Sequence, residues 1–287
     1  MEFLSVPFLV LCAMAFLTGV ALNGYVLFLS GCHVARMTSA MWFWNRAVAD
    51  FIFIIFLPLR VTSIFILDLN LATILSSTVT SFHMFSSAFF LTTLSVDPCI
   101  LVACPEWPWN HRTPPLAFIM VLGMWALSLG FSLRYGDLWE SLLSPASTSM
   151  HFRGDERRVK ATIVIQFLVV VLIPLALILI PTVYIFLAAK LRRNRLIQFT
   201  KPLKILLGLI PTFFVCWLPY HVFFLLMSAN YPLLLLNTGR AFAYVLTYLS
   251  SCLNPIFYLT MEEEFLRYQQ HARNSQTTDT SGSELVG

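Results

Sequence analysis

Asp50 is the residue of this sequence with the most chemistry to offer. It lies near the middle of an apolar stretch, residues 40–67. A carboxylate at the centre of a bilayer costs about 2.5–3.5 kcal/mol on insertion scales, so it is expected to face a polar interior and marks a functional centre. The plainer reading is a protonated or hydrogen-bonded packing residue. Arg46 stands four positions earlier, on the same helical face one turn away. Two readings of it stand side by side: it pairs with Asp50, or it extends its charged head to the nearby membrane surface.

A second constellation is Leu249-Ser250-Ser251-Cys252-Leu253-Asn254-Pro255-Ile256-Phe257-Tyr258. Proline removes a backbone donor and clashes with the carbonyl one turn back, so a membrane helix that carries one needs neighbours to satisfy the freed group. Ser250, Ser251 and Asn254 are positioned to help. A third, Phe213-Phe214-Val215-Cys216-Trp217-Leu218-Pro219-Tyr220, again sets a proline within an aromatic run. The segment 71–96 carries Ser76, Ser77, Thr78, Thr80, Ser81, Ser86 and Ser87, with His83 among them. Small polar residues at that density suit a helix surrounded by helices.

Other chemistry finds little footing. None of the six cysteines forms a C-x-x-C pair, and Cys99 and Cys104 stand too far apart for one. No trio suggests a nucleophile with its base, there is no Gly-rich phosphate loop, and nothing points to nucleic acid. The expectation is a protein that is not an enzyme.

The elements that position these residues follow from composition. The 287 residues are 58% hydrophobic and 11% charged, with 15 prolines, and the mean hydropathy is +0.79. Soluble domains average about 25% charged residues, so water is not the main solvent of this surface. Seven apolar runs follow, near 6–31, 40–67, 71–96, 115–133, 161–189, 203–227 and 238–260, each long enough for a ~30 Å hydrocarbon core. The third is expected to be central and to end at Asp97-Pro98-Cys99, because proline disfavours helical geometry at the residue before it.

Between the fifth and sixth runs lie Lys190, Arg192, Arg193, Arg195, Lys201 and Lys204 with no acid among them. Such a loop belongs in the cytoplasm, which puts the N-terminus outside and the C-terminus inside. The predicted organisation is a short external segment (1–5), an all-α membrane domain of seven transmembrane helices (6–260), an amphipathic membrane-surface helix (261–273) and a polar cytoplasmic tail (274–287).

Asn23, Ala47-Val48-Ala49-Asp50, Cys216-Trp217-Leu218-Pro219 and Asn254-Pro255-Ile256-Phe257-Tyr258 together resemble the rhodopsin-like (class A) G-protein-coupled receptors, in the right spans and order. Trp107 to Thr113, Lys201-Pro202-Leu203-Lys204 and Ser251 to Tyr258 are similar to the formyl-peptide and related chemoattractant receptors. The resemblance implies a plasma-membrane receptor in which an extracellular ligand, peptide or lipid, shifts packing around Trp217 and Pro219. That shift, with Asn254, Pro255 and Tyr258, would open a cytoplasmic cleft to a heterotrimeric G protein and to arrestin, among membrane lipid.

The resemblance also implies that Asp50, Ser87, Ser250 and Asn254 form a sodium pocket, a set of oxygens suited to a hard cation. On the cytoplasmic side it implies that Asp97, Pro98, Arg192, Arg193 and Arg195 face the G protein. Three departures carry expectations of their own. Pro98 stands where the family places arginine after the aspartate, which implies impaired coupling. Thr73 stands where an external disulfide would anchor. Ser81, Thr162 and Gln166 stand where the formyl-peptide group presents charges. A non-signalling decoy or degenerate receptor is the alternative, and an ion transporter using Asp50 is the more distant one.

Overall fold

The computed structural model of the chain describes residues 2–31, 38–65, 70–103, 113–143, 152–192, 201–228, 239 and 242–259. The described residues are helical except at Phe56 and Thr113, as a backbone in hydrocarbon requires: with no water to bond to, a helix satisfies most of its own amides and carbonyls. The helices are α1 (Glu2–Gly31), α2 (Thr38–Ile55), α3 (Leu57–Phe65), α4 (Asn70–Ala103), α5 (Pro114–Leu143), α6 (Phe152–Phe167), α7 (Ile173–Arg192), α8 (Lys201–Ser228) and α9 (Phe242–Leu259).

Six stretches within them are long and apolar enough to cross a membrane: Val6–Phe28, Met41–Thr62, Ile74–Asp97, Pro115–Leu133, Lys160–Tyr184 and Phe242–Leu259. The remaining crossing is α8, whose apolar part is Gly208–Phe223 and whose 28 residues reach about 42 Å at 1.5 Å each. The seven expected spans are therefore all present. The expected surface helix 261–273 and the tail 274–287 lie outside the described residues, as do Arg193 and Arg195.

Prolines set the bends. The second span is divided at Phe56, two residues before Pro58, and the bonds Phe56 N–H to Ile52 O (3.3 Å) and Arg60 N–H to Phe56 O (3.2 Å) carry the chain across. In the fifth span a π turn, Leu168–Leu172, joins α6 to α7 just before Pro174. Ile173 N–H bonds to Leu168 O there, so the helix widens by one residue where proline withholds a donor.

α4 is the axis of the bundle. It packs against α2, α3, α5, α7, α8 and the π turn. Two thirds (67%) of its apolar span is buried, against 22% for the span in α1. The centrality expected from its serines and threonines is thus seen: Thr80, Ser86 and Ser95 return their hydroxyls to backbone carbonyls at 2.7–3.1 Å and leave a slim surface for neighbours. Its end differs from expectation. The helix continues through Pro98 to Ala103: the proline withholds a hydrogen from the carbonyl of Leu94 alone, whereas breaking the helix there would strand several groups.

The lipid-facing side is apolar as a bilayer demands: Leu17, Phe28, Ile119 and Ile180 are exposed. Inside, Trp217, Phe213, Phe85, Phe90 and Leu91 anchor one core. A second core of Cys12, Ala15, Phe53, Ile54, Leu57, Tyr248 and Cys252 joins the first two spans to α9.

α8 and α9 meet where Gly208 leaves room for Phe257. A Cβ on Gly208 would collide with that ring, 2.6 Å from Cδ1 and 2.9 Å from Cζ. Gly208→Val is therefore expected to lower stability by about 1–3 kcal/mol, the usual cost of overpacking. Thermal melts check this: Phe257→Ala placed in the Gly208→Val background should recover most of the loss, and no recovery would exclude the collision as its cause.

Candidate functional site

The site forms where α2, α4 and α9 converge. Asp50 comes from α2, His83 and Ser87 lie one turn apart on α4, and Ser251 and Asn254 lie three positions apart on α9, so each helix turns two polar residues or fewer toward a common point. His83 Nε2 lies 2.8 Å from Asp50 Oδ1, and with its hydrogen on that nitrogen the imidazole donates to the carboxyl oxygen. Asn254 Nδ2 spans both carboxylate oxygens, at 3.1 Å from Oδ1 and 3.0 Å from Oδ2. The hydroxyls of Ser87 and Ser251 lie 3.1 and 3.2 Å from the same His83 nitrogen. Asp50, Asn254 and Ser251 are fully buried, with His83 and Ser87 almost so.

Arg46 follows neither of the two readings drawn from spacing. It is fully buried, so its head does not reach the surface. Its Nη1 donates to the backbone oxygen of Ser87 at 2.7 Å. Among the described residues the carboxylate of Asp50 takes the imidazole of His83 and the amide of Asn254 as its partners, not Arg46. The physical reason is that the face of α2 packs on α4, whose carbonyl at Ser87 takes Arg46 and whose imidazole at His83 takes Asp50.

Pro255 shows how a freed carbonyl is satisfied. Its missing N–H leaves the oxygen of Ser251 unbonded within the helix. Asn23 of α1 supplies the hydrogen, Nδ2 to Ser251 O at 3.0 Å, and also reaches Gly19 O at 2.9 Å. The helper is thus on another span, rather than Ser250 or Asn254. Asn45 and Trp125 make a further link, Nε1–H to Oδ1 at 2.9 Å.

The polar centre is stacked against aromatic rings that lead outward. Phe53 lies flat on His83, centroids 4.2 Å apart and planes 4° apart, with Tyr248 on the same ring of Phe53 at 4.3 Å and 8°. Trp217 lies 5.6 Å from His83 and 6.3 Å from Phe53, and it meets Phe213 and Tyr220 in turn. One side chain, His83, therefore touches both the carboxylate centre and the tryptophan.

Beyond Trp217 a second set of buried polar atoms has no hydrogen-bond partner among the described residues: Ser81 Oγ, Gln166 Oε1, Trp217 Nε1 and His221 Nε2. They come from α4, α6 and α8. Gln166 is held by its Nε2 against Met84 Sδ at 3.2 Å, and His221 packs edge-on to Phe167 and Tyr220. Arg60 is also buried, donating to Ser76 and Ser77 at 3.1 and 3.3 Å and standing 3.9 Å over the Tyr244 ring.

Of the residues singled out in the sequence, Asp50, Ser87 and Asn254 are brought together. Ser250 is buried nearby, but its Oγ has no partner among the described residues. Tyr258 is buried edge-on to Phe43, with its hydroxyl close to the side chains of Arg46 and Asp50. Trp217 and Pro255 are buried, and Pro219 is half-buried. Asp97 is half-buried toward the C-terminal end of α4, Pro98 follows it within the helix, and Arg192 is the last residue of α7.

Sequence reasoning missed His83, Arg60 and His221. The signal for them was available: an ionisable residue within a membrane span is a functional candidate by default. His83 had the added mark of Ser87 four positions on.

Comparison with known proteins agrees with this architecture. The chain matches the 7 transmembrane receptor (rhodopsin family) over residues 22–258. It is 34% identical to chemerin-like receptor 1 of Rattus norvegicus over 279 residues, covering 88% of this chain and 74% of that protein. The human chemerin-like receptor 1 is 32% identical over 294 residues, 93% and 77% of the two chains. N-formyl peptide receptor 3 of Pan troglodytes is 29% identical over 275 residues, 87% and 78%. With seven apolar crossings, a buried Asp50–Asn254 contact and Trp217 stacked above it, this chain belongs to the rhodopsin family of seven-transmembrane receptors.

Proposed function

We propose that the protein is a chemoattractant-type receptor of the plasma membrane, N-terminus outside and C-terminus inside, whose coupling to a heterotrimeric G protein is weakened by Pro98. The observation that carries this is the unbroken contact path from the outer polar atoms, through Trp217 and His83, to Asp50 and Asn254. A ligand that engages Ser81, Gln166 and His221 presses on Trp217, whose ring lies 5.6 Å from that of His83. Buried donors and acceptors left open in this way are what a polar ligand group satisfies. The similarity to chemerin-like receptors makes chemerin the first ligand to try.

Coupling enters through the inner end, where Asp97, Pro98, Arg192, Arg193 and Arg195 would meet the G protein and arrestin. Binding of labelled chemerin to cells with the tagged protein at their surface tests the outer half directly. Specific binding is expected, and His221→Ala with Gln166→Ala is expected to weaken it by about tenfold, two lost buried hydrogen bonds at ~0.7 kcal/mol each. Specific binding that the double substitution leaves unchanged would exclude this set of atoms as the ligand seat.

A further inference from the structure

The sodium pocket expected from the resemblance does not fit the residues present. A hard cation needs oxygen ligands facing it. Here Asp50 Oδ1 receives the hydrogen of His83 Nε2 and Asn254 Nδ2 covers both carboxylate oxygens, so N–H donors stand where a cation would stand. Ser87, the hydroxyl of the expected set on α4, lies against His83 at 3.1 Å, and its backbone oxygen holds Arg46. Two oxygens with no partner among the described residues remain close by, Asn254 Oδ1 and Ser250 Oγ. Any cation drawn to them would share the site with a fully buried guanidinium.

We propose that Arg46 and His83 take the place of the metal ion, so that the resting arrangement around Asp50 is held by the chain's own cation and imidazole and is insensitive to sodium. Charge decides the matter. Arg46 and Asp50 are one helical turn apart, a separation of about 6 Å along the axis, and their charges cancel within a region shielded from water. Adding a sodium ion would leave an uncompensated positive charge in the membrane interior, which is strongly unfavourable. Removal of Arg46 alone would restore the deficit of charge but not the room, because the His83 ring still occupies Oδ1 and is clamped between Phe53 and the hydroxyls of Ser87 and Ser251. Both side chains must change before a cation can enter.

The inference goes beyond the proposed receptor activity and does not depend on coupling, since it is read in purified protein. Apparent melting temperature is measured in sodium chloride and in potassium chloride at equal ionic strength, so that screening is the same and only ion identity differs. The parent protein is expected to melt at the same temperature in both salts. The variant Arg46→Leu with His83→Asn is expected to melt a few degrees higher in sodium, as a newly occupied site stabilises the folded state. Arg46→Leu alone is expected to show no sodium preference.

Sodium-specific stabilisation of the parent overturns the inference. So does a full sodium response from Arg46→Leu alone, which would mean that His83 leaves room for the ion. A folded double variant that ignores sodium also overturns it, because the two groups would then not be what excludes the ion. Should the double variant not fold, the parent in the two salts decides: equal melting supports the inference and unequal melting refutes it.

Discussion

Replacing Pro98 with arginine is expected to raise basal nucleotide exchange on a co-expressed G protein by about tenfold, a population shift of ~1.4 kcal/mol toward the coupled form. The substitution restores a cation beside Asp97 toward the C-terminal end of α4 and returns a backbone N–H to the helix at once. The structure strengthens the case, because α4 runs on to Ala103 and an arginine at 98 falls within regular helix. That placement also changes the expected cost of the native proline. Near a helix end it would be slight, but with five further residues of helix beyond it the cost approaches the ~3 kcal/mol of an interior position. Pro98→Ala separates the two effects. It should raise the melting temperature as Pro98→Arg does, while leaving exchange at the parent level, since it supplies the donor without the charge. At matched surface expression, a Pro98→Arg protein with no more exchange than the parent across several G-protein types would make a non-signalling role the better account.

The sequence made some features plain and concealed others, and the difference is one of distance along the chain. The seven crossings were legible because a bilayer imposes length and hydropathy on each segment separately. Asp50 and Asn254 were legible because a polar group in an apolar run is costly wherever it sits. The partner that covers Asp50 was not. Spacing on one helix offers only neighbours three and four residues away, which pointed to Arg46, whereas His83 arrives from 33 positions later on another helix.

The same limit applies at Pro255. That its carbonyl partner needed rescue follows from proline chemistry, but that Asn23 does it, from 228 positions away, depends on how α1 leans on α9. Pro98 is a different kind of miss. Local preference argued for a helix end, and the requirement that a membrane backbone satisfy itself outweighed it. Unpartnered Gln166 Oε1 and His221 Nε2 could be found only once three helices were assembled around Trp217.

Asp50→Ala is expected to be the most damaging single change in the polar centre. It removes the carboxyl acceptor of His83 Nε2 and of Asn254 Nδ2 together, leaving the amide without that partner and the imidazole with only the hydroxyls of Ser87 and Ser251. It also leaves the guanidinium of Arg46, fully buried, with no anion one turn away. Leaving a buried charge uncompensated costs about 3–5 kcal/mol. At roughly 2–4 °C per kcal/mol for a chain of this size, the apparent melting temperature should fall by about 6–20 °C. Asp50→Asn should fall less, because a carboxamide oxygen still accepts from His83 while the charge is lost. The decisive comparison is Asp50→Ala combined with Arg46→Leu. If Arg46 is balanced electrostatically by Asp50 across the turn, without a direct hydrogen bond, deleting the stranded cation relieves the penalty and the double variant melts above Asp50→Ala alone. A double variant that melts lower than either single change would mean that Arg46 stabilises the bundle through its bond to the Ser87 carbonyl, independently of the carboxylate, and that the charge balance assigned to the centre is wrong.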